Sequence, residues 1–141
     1  MTRRLLVVFL LIGSCGISSG RVVTPNPRVL TQVSLTSQSD PIPATTILTF
    51  PANGLYRITG YAELTATGTC SQDWLFTFQW VDDTGLQQDQ ELTGFVCSAM
   101  ASAGKTIIVR GLKGAPLTYT VSGTPGSGSE FDLFFTVERL M

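Results

Sequence analysis

Few residues of this chain have the types and spacing that chemistry needs. Histidine is absent from all 141 positions. Its absence removes the commonest general base near neutral pH and the commonest zinc ligand. No Ser-His-Asp or Cys-His catalytic group can be built from the chain alone. Carboxylates remain. Asp82 and Asp83 are adjacent, and their oxygens suit a hard cation such as Ca²⁺. The turn Asp82-Asp83-Thr84-Gly85 accounts for the same pair as solvated turn residues. Glu130, Asp132 and Glu138 share one face of an alternating segment, with no partner acid identifiable elsewhere. The glycines of Gly123-Thr-Pro-Gly126-Ser-Gly128 precede a strand pattern, whereas a phosphate loop needs a helix. We therefore expect no cofactor and no catalytic residue.

The three cysteines, Cys15, Cys70 and Cys97, are read together with the start of the chain. Arg3-Arg4, the apolar run Leu5–Ile12 and the small residues after it have the order of an export signal. The run is far below the roughly 20 apolar residues that a transmembrane helix needs. Ile12-Gly13-Ser14-Cys15 resembles the lipobox of bacterial lipoprotein signal peptides. That resemblance implies that Cys15 becomes a lipidated N-terminus. Ordinary cleavage, for example after Ser18-Ser19-Gly20, is the alternative. In both cases Cys70 and Cys97 remain as an even pair in an oxidising compartment, where a disulfide is expected. Such a bond would stabilise the fold by roughly 3–4 kcal/mol on the chain-entropy model. Two buried thiols are the alternative reading.

Composition narrows the class. Formal net charge is −1 and 13% of residues are charged. No basic cluster is present to grip phosphates, so nucleic acid is not an expected partner. Hydrophobic content is 43% and spread along the chain, which opposes disorder. We divide the chain into a signal peptide (1–15), a flexible tether (16–28) and one domain (29–141), a length suited to a single core.

Within that domain the elements read as strands. Val29, Thr31, Val33 and Leu35 alternate with Leu30, Gln32 and Ser34. Asp40-Pro-Ile-Pro43 marks a turn or an edge. Tyr56, Ile58, Gly60, Ala62 and Leu64 share one face of the clearest strand, with Tyr61 on the other. Thr67–Asp73 reads as a polar loop, then Trp74, Phe76, Phe78 and Trp80 share a face. That aromatic row is core, or a sugar-stacking strip if exposed. A polar stretch runs to Glu91, Leu92–Cys97 is the next short strand, and Ser98–Gly104 is a small-residue loop. Thr106–Val109, Leu117–Val121 and the segment from Phe131 to the end follow, with Gly123–Ser129 a loop. Seven to eight short strands and no helical period argue an all-β sandwich or barrel.

Pro51-Ala-Asn-Gly-Leu-Tyr-Arg-Ile-Thr-Gly-Tyr-Ala-Glu-Leu64 resembles a strand of C1q- and TNF-like jelly rolls. Phe131-Asp-Leu-Phe-Phe-Thr-Val-Glu-Arg-Leu140 is similar to their terminal central strand. Pro116-Leu-Thr-Tyr-Thr-Val121 is similar to the penultimate one. The resemblance covers about residues 40–140. It implies a jelly-roll sandwich, and a homotrimer that binds protein or glycan or forms a structural knob. Tyr61, Phe95 and Phe134 are the interface candidates. The expected role is a non-catalytic module of the bacterial envelope, lipid-anchored or secreted, touching the membrane only through a lipid anchor. The alternative role is a knob of a phage or appendage, with enzyme a distant third.

Overall fold

Alternation dictates where each strand turns its apolar side, and the computed structural model, which describes residues 27–125 and 127–141, shows two sheets closing on those sides. Residues 70 and 125 are described by backbone alone. The expected signal peptide, Cys15 and nearly all of the tether lie outside the described residues. Eight strands follow in order: β1 (Arg28–Gln38), β2 (Ile42–Thr49), β3 (Gly54–Ala66), β4 (Cys70–Val81), β5 (Gln87–Phe95), β6 (Ser102–Gly111), β7 (Pro116–Pro125) and β8 (Glu130–Arg139). Among the described residues no helix is long and apolar enough to cross a membrane.

One sheet has the order β1-β8-β3-β6 and the other β2-β7-β4-β5, and every pairing is antiparallel. This interleaving of first with last, and second with seventh, is the jelly-roll order. It brings the connections 50–53, 82–86 and 112–115 to the end where β1 starts and β8 stops. The remaining connections lie at the opposite end.

The core is aromatic. Tyr56, Ile58, Ala62 and Leu64 of β3 are buried, as are Trp74, Phe76 and Phe78 of β4. From β8, Phe131, Leu133, Phe135 and Val137 reach them. Rings meet edge to face across the two sheets: Trp74 on Phe131 at 4.9 Å, Phe76 on Phe131 at 5.2 Å and Phe78 on Phe135 at 4.9 Å. Such geometries suit the ring quadrupole. The indole N–H of Trp74 donates to the buried Ser129 hydroxyl at 2.8 Å, so its polar end is satisfied. At Gly60 an added Cβ would lie 3.0 Å from Leu92 and 3.1 Å from Phe78. Glycine there admits the opposite sheet's side chains.

Four expected loops are shorter than their composition suggests, among them 123–129, because β7 runs to Pro125. β4 begins at Cys70 inside the expected polar loop, β5 begins at Gln87 inside the polar stretch, and β6 begins at Ser102. Pairing uses backbone groups, so polar side chains extend a strand wherever a partner strand continues. Gln87, Asp89 and Glu91 are exposed, as expected for the outer side of an edge strand.

Bulges shift the alternation in two strands. β1 starts at Arg28, and its register with β8 shifts between Val29 and Thr31. Leu30 therefore packs against the core, while Val29 is 48% exposed. In β5 the register with β4 shifts beside Leu92, because Phe76 faces Thr93 and Thr77 faces Glu91. Each extra residue resets alternation beyond it.

Candidate interaction surface

The chemistry-bearing residues are scattered by this fold rather than gathered. Glu130, Asp132 and Glu138 do share the outer face of β8, but each has a separate setting. Asp132 accepts a bond from the Ser37 amide at 2.8 Å. Glu138 pairs with Arg57, whose guanidinium pKa is raised chiefly by that hydrogen bond. Glu130 lies opposite Ala66. Among the described residues no cluster of three metal-ligating side chains occurs.

Asp82 and Asp83 hold a turn. Oδ1 of Asp82 accepts from the Thr84 hydroxyl at 2.6 Å, the Thr84 amide at 2.9 Å and the Leu86 amide at 3.0 Å. Its Oδ2 accepts from the Gln88 amide group at 2.8 Å. These bonds, the Thr84 hydroxyl first, hold its carboxyl below the usual carboxylate range. Gly85 takes the positive φ of 87° that the turn requires. Asp83 lies 3.4 Å from the Arg110 guanidinium. At the pair whose oxygens suit Ca²⁺, both oxygens of Asp82 already accept from protein donors.

Of the three interface candidates, the structure brings two together. Tyr61 and Phe134 are direct cross-strand partners on β3 and β8, with ring centroids 6.2 Å apart. Tyr61 is 39% exposed and Phe134 is half-buried. Phe95 is corrected. It is 5% exposed and packs 5.6 Å from Phe76 in the core. Plain alternation from the inward Leu92 would turn it outward, and the β5 bulge turns it in. The aromatic row of β4 is likewise core at Trp74, Phe76 and Phe78, with Trp80 half-buried.

The surroundings of Tyr61 and Phe134 form rows across the outer face of the β1-β8-β3-β6 sheet. Gly104, Tyr61, Phe134 and Ser34 make one row. Small residues at both ends leave the rings standing proud of their neighbours. One step towards one end lie Ser102, Glu63 and Asp132, and the Tyr61 hydroxyl donates to Glu63 at 2.9 Å. Two steps the other way lie Ile108, Arg57, Glu138 and Val29. Ile108 is 63% exposed and was not singled out from the sequence. The signal was present: Ile107 and Ile108 are adjacent in a strand, so one of them must face outward.

Cys97 is buried and is a disulfide-bonded cysteine. Its carbonyl accepts the Gly68 amide at 3.0 Å, which ties the segment after β5 to the start of β4.

No family model and no curated protein matches this chain. Among solved structures it is similar to a chain of infectious bursal disease virus, Gx strain, at 13% identity and a TM-score of 0.47, covering 83% of this chain and 34% of that one. It is similar to a chain of the infectious bursal disease virus VP2 subviral particle at 13% identity and a TM-score of 0.48, covering 83% and 33%. This chain therefore spans about a third of the length of the solved chains it matches.

Proposed function

We propose that this protein is a non-catalytic assembly or binding module exported to the bacterial envelope, a jelly roll of the C1q/TNF kind that works as a homotrimer. The observation that carries this reading is the Tyr61–Phe134 pair, uncovered on the two central strands of one sheet. An exposed Tyr61 ring against the half-buried Phe134, flanked by small residues, is the contact surface on which this reading rests. A heterologous contact repeated three times closes a ring and hides it. The chemistry-poor surface supports a role in binding rather than catalysis. The export-type start and Ile12-Gly13-Ser14-Cys15 support delivery to the envelope with a lipid on Cys15. The hydrogen bond between Gly68 and Cys97 supports the pairing of Cys97 with Cys70, two residues further on.

Light scattering on the purified protein tests the assembly. The expected mass is three protomers, and Phe134→Glu should lower it while far-ultraviolet dichroism stays that of the wild type. A wild-type mass of one protomer at tens of micromolar ends the trimer reading. Metabolic labelling with a palmitate analogue tests the anchor: label lost in Cys15→Ala supports it, and an unlabelled wild type removes it.

A further inference from the structure

We infer that β6 is a pairing edge, and that a second copy of this chain adds its own β6 there, antiparallel, about a two-fold axis at Thr106. The inference goes beyond the trimeric reading. Edge pairing takes up Tyr61 but leaves Phe134 uncovered, so packing of the sheet face would then rest on Phe134.

Three observations meet on this strand. The first is regularity. A sandwich has four edge strands, here β1, β6, β2 and β5. Unpaired edges invite intermolecular pairing, and proteins blunt them with bulges and prolines. β1 has two register shifts, β2 has two and contains Pro43, and β5 has one. β6 pairs with β3 over ten consecutive positions with no shift, and it contains no proline. Three edges are blunted by shifts or proline, whereas β6 is straight and its one inward charge, Lys105, is drawn back to the Glu91 carbonyl of β5 at 2.8 Å.

The second is shape. Side chains of directly opposed antiparallel residues share a face. An axis at Thr106 therefore sets Ile108 of each copy opposite Gly104 of the other. Ile108 is the exposed apolar knob of the strand. Gly104 is the gap, bordered by the Tyr61 ring, which would lie 3.6 Å from an added Cβ. Each knob enters the other copy's gap and covers Tyr61.

The third is charge. The same axis sets Arg110 opposite Ser102. Behind Ser102 stand Glu63 and then Asp132, adjacent across β3 and β8. Arg110 is 69% exposed, with one long contact to Asp83. Two strand spacings, about 10 Å, separate it from Glu63, within the joint reach of an arginine and a glutamate. Ser102 is small enough to let it pass. The cation at one end of the edge thus meets the paired acids at the other end, twice per dimer.

The test uses the full-length protein in mild detergent. Thr106→Cys should form a disulfide-linked dimer on a non-reducing gel, because antiparallel opposed Cα atoms lie about 4.5–5.5 Å apart, inside the disulfide range. Thr120→Cys, on the outer face of the other sheet, should not. By light scattering, Gly104→Val and Ile108→Lys should each halve the mass, from two protomers to one or from six to three, with unchanged dichroism. The Gly104 site accepts a Cβ at ordinary contact distances, so Gly104→Val remains informative if Ile108→Lys fails to fold. Equal masses for wild type and both variants, without a Thr106→Cys crosslink, overturn the pairing edge. A mass that falls in Phe134→Glu but not in the edge variants also overturns it while leaving the trimer standing. Halving in the edge variants alone does the reverse.

Discussion

The outward faces of the two sheets differ in kind. On the central strands β4 and β7 the outer side chains include Thr77, Gln79, Thr118, Thr120 and Ser122, which are uncharged and hydroxyl- or amide-bearing. On the central strands β3 and β8 they include the Arg57–Glu138 ion pair, the Tyr61–Phe134 ring pair, and Glu63 directly opposite Asp132. Apart from Leu75, which is 38% exposed opposite Ser122, the first face offers water one hydrogen-bonding group after another. The second exposes rings and sets two acids side by side, an arrangement that costs stability in an isolated sheet. The inner faces are alike, aromatic and closed on each other. The difference is therefore confined to the side where a partner can act.

The largest expected effect contrasts the two sides of β8 itself. Phe135 is 3% exposed, with Phe78 at 4.9 Å and Tyr119 at 5.0 Å. Phe135→Ala should cost about 3–5 kcal/mol in chemical denaturation at low protein concentration. Its neighbour Phe134→Ala should cost less than about 1 kcal/mol there, as for a surface site. Equal losses would make the Tyr61–Phe134 face a structural one.

A smaller effect sharpens the contrast for polar groups. Ser129→Ala leaves the buried Trp74 N–H without its acceptor and should cost about 1–3 kcal/mol. Thr118 donates to the Gln79 carbonyl at 3.4 Å on the hydrated face, and Thr118→Val should change stability by no more than about 0.5 kcal/mol. A larger loss at Thr118 would show that the hydroxyl face is not simply solvated.

The smallest effect is tied to pH. The folded pKa of Asp82 is lowered, so its contribution is fully present above the unfolded value near 3.9. It is lost as pH falls through the depressed folded value. The stability gap between wild type and Asp82→Asn should stay constant from about pH 5 to 8 and close below about pH 4, read from urea midpoints. A gap that persists in acid would remove the carboxylate from the account of the 82–86 turn.

Much of the fold was legible because β3, β4 and β8 keep strict alternation over their core-facing stretches. Tyr56 to Leu64 and Phe131 to Val137 were placed correctly, side by side with the outward Tyr61 and Phe134. The candidate surface was legible only in part. Phe95 was read as an interface residue and lies in the core, turned in by the bulge beside Leu92. A bulge depends on the partner strand's register, which a single strand's residue types do not reveal.

By itself the sequence determined the class: period-2 patterning with Gly and Pro punctuation argues an all-β sandwich or barrel, and the lack of histidine removes the Ser-His-Asp and Cys-His catalytic groups. Those properties are local, carried by each residue and its near neighbours. Only the tertiary structure decided that Tyr61 meets Phe134, that Glu63 faces Asp132, and that β6 is the straight edge. Each of these depends on pairing between segments far apart in the chain. That pairing is set by how two whole sheets bury their aromatic faces together.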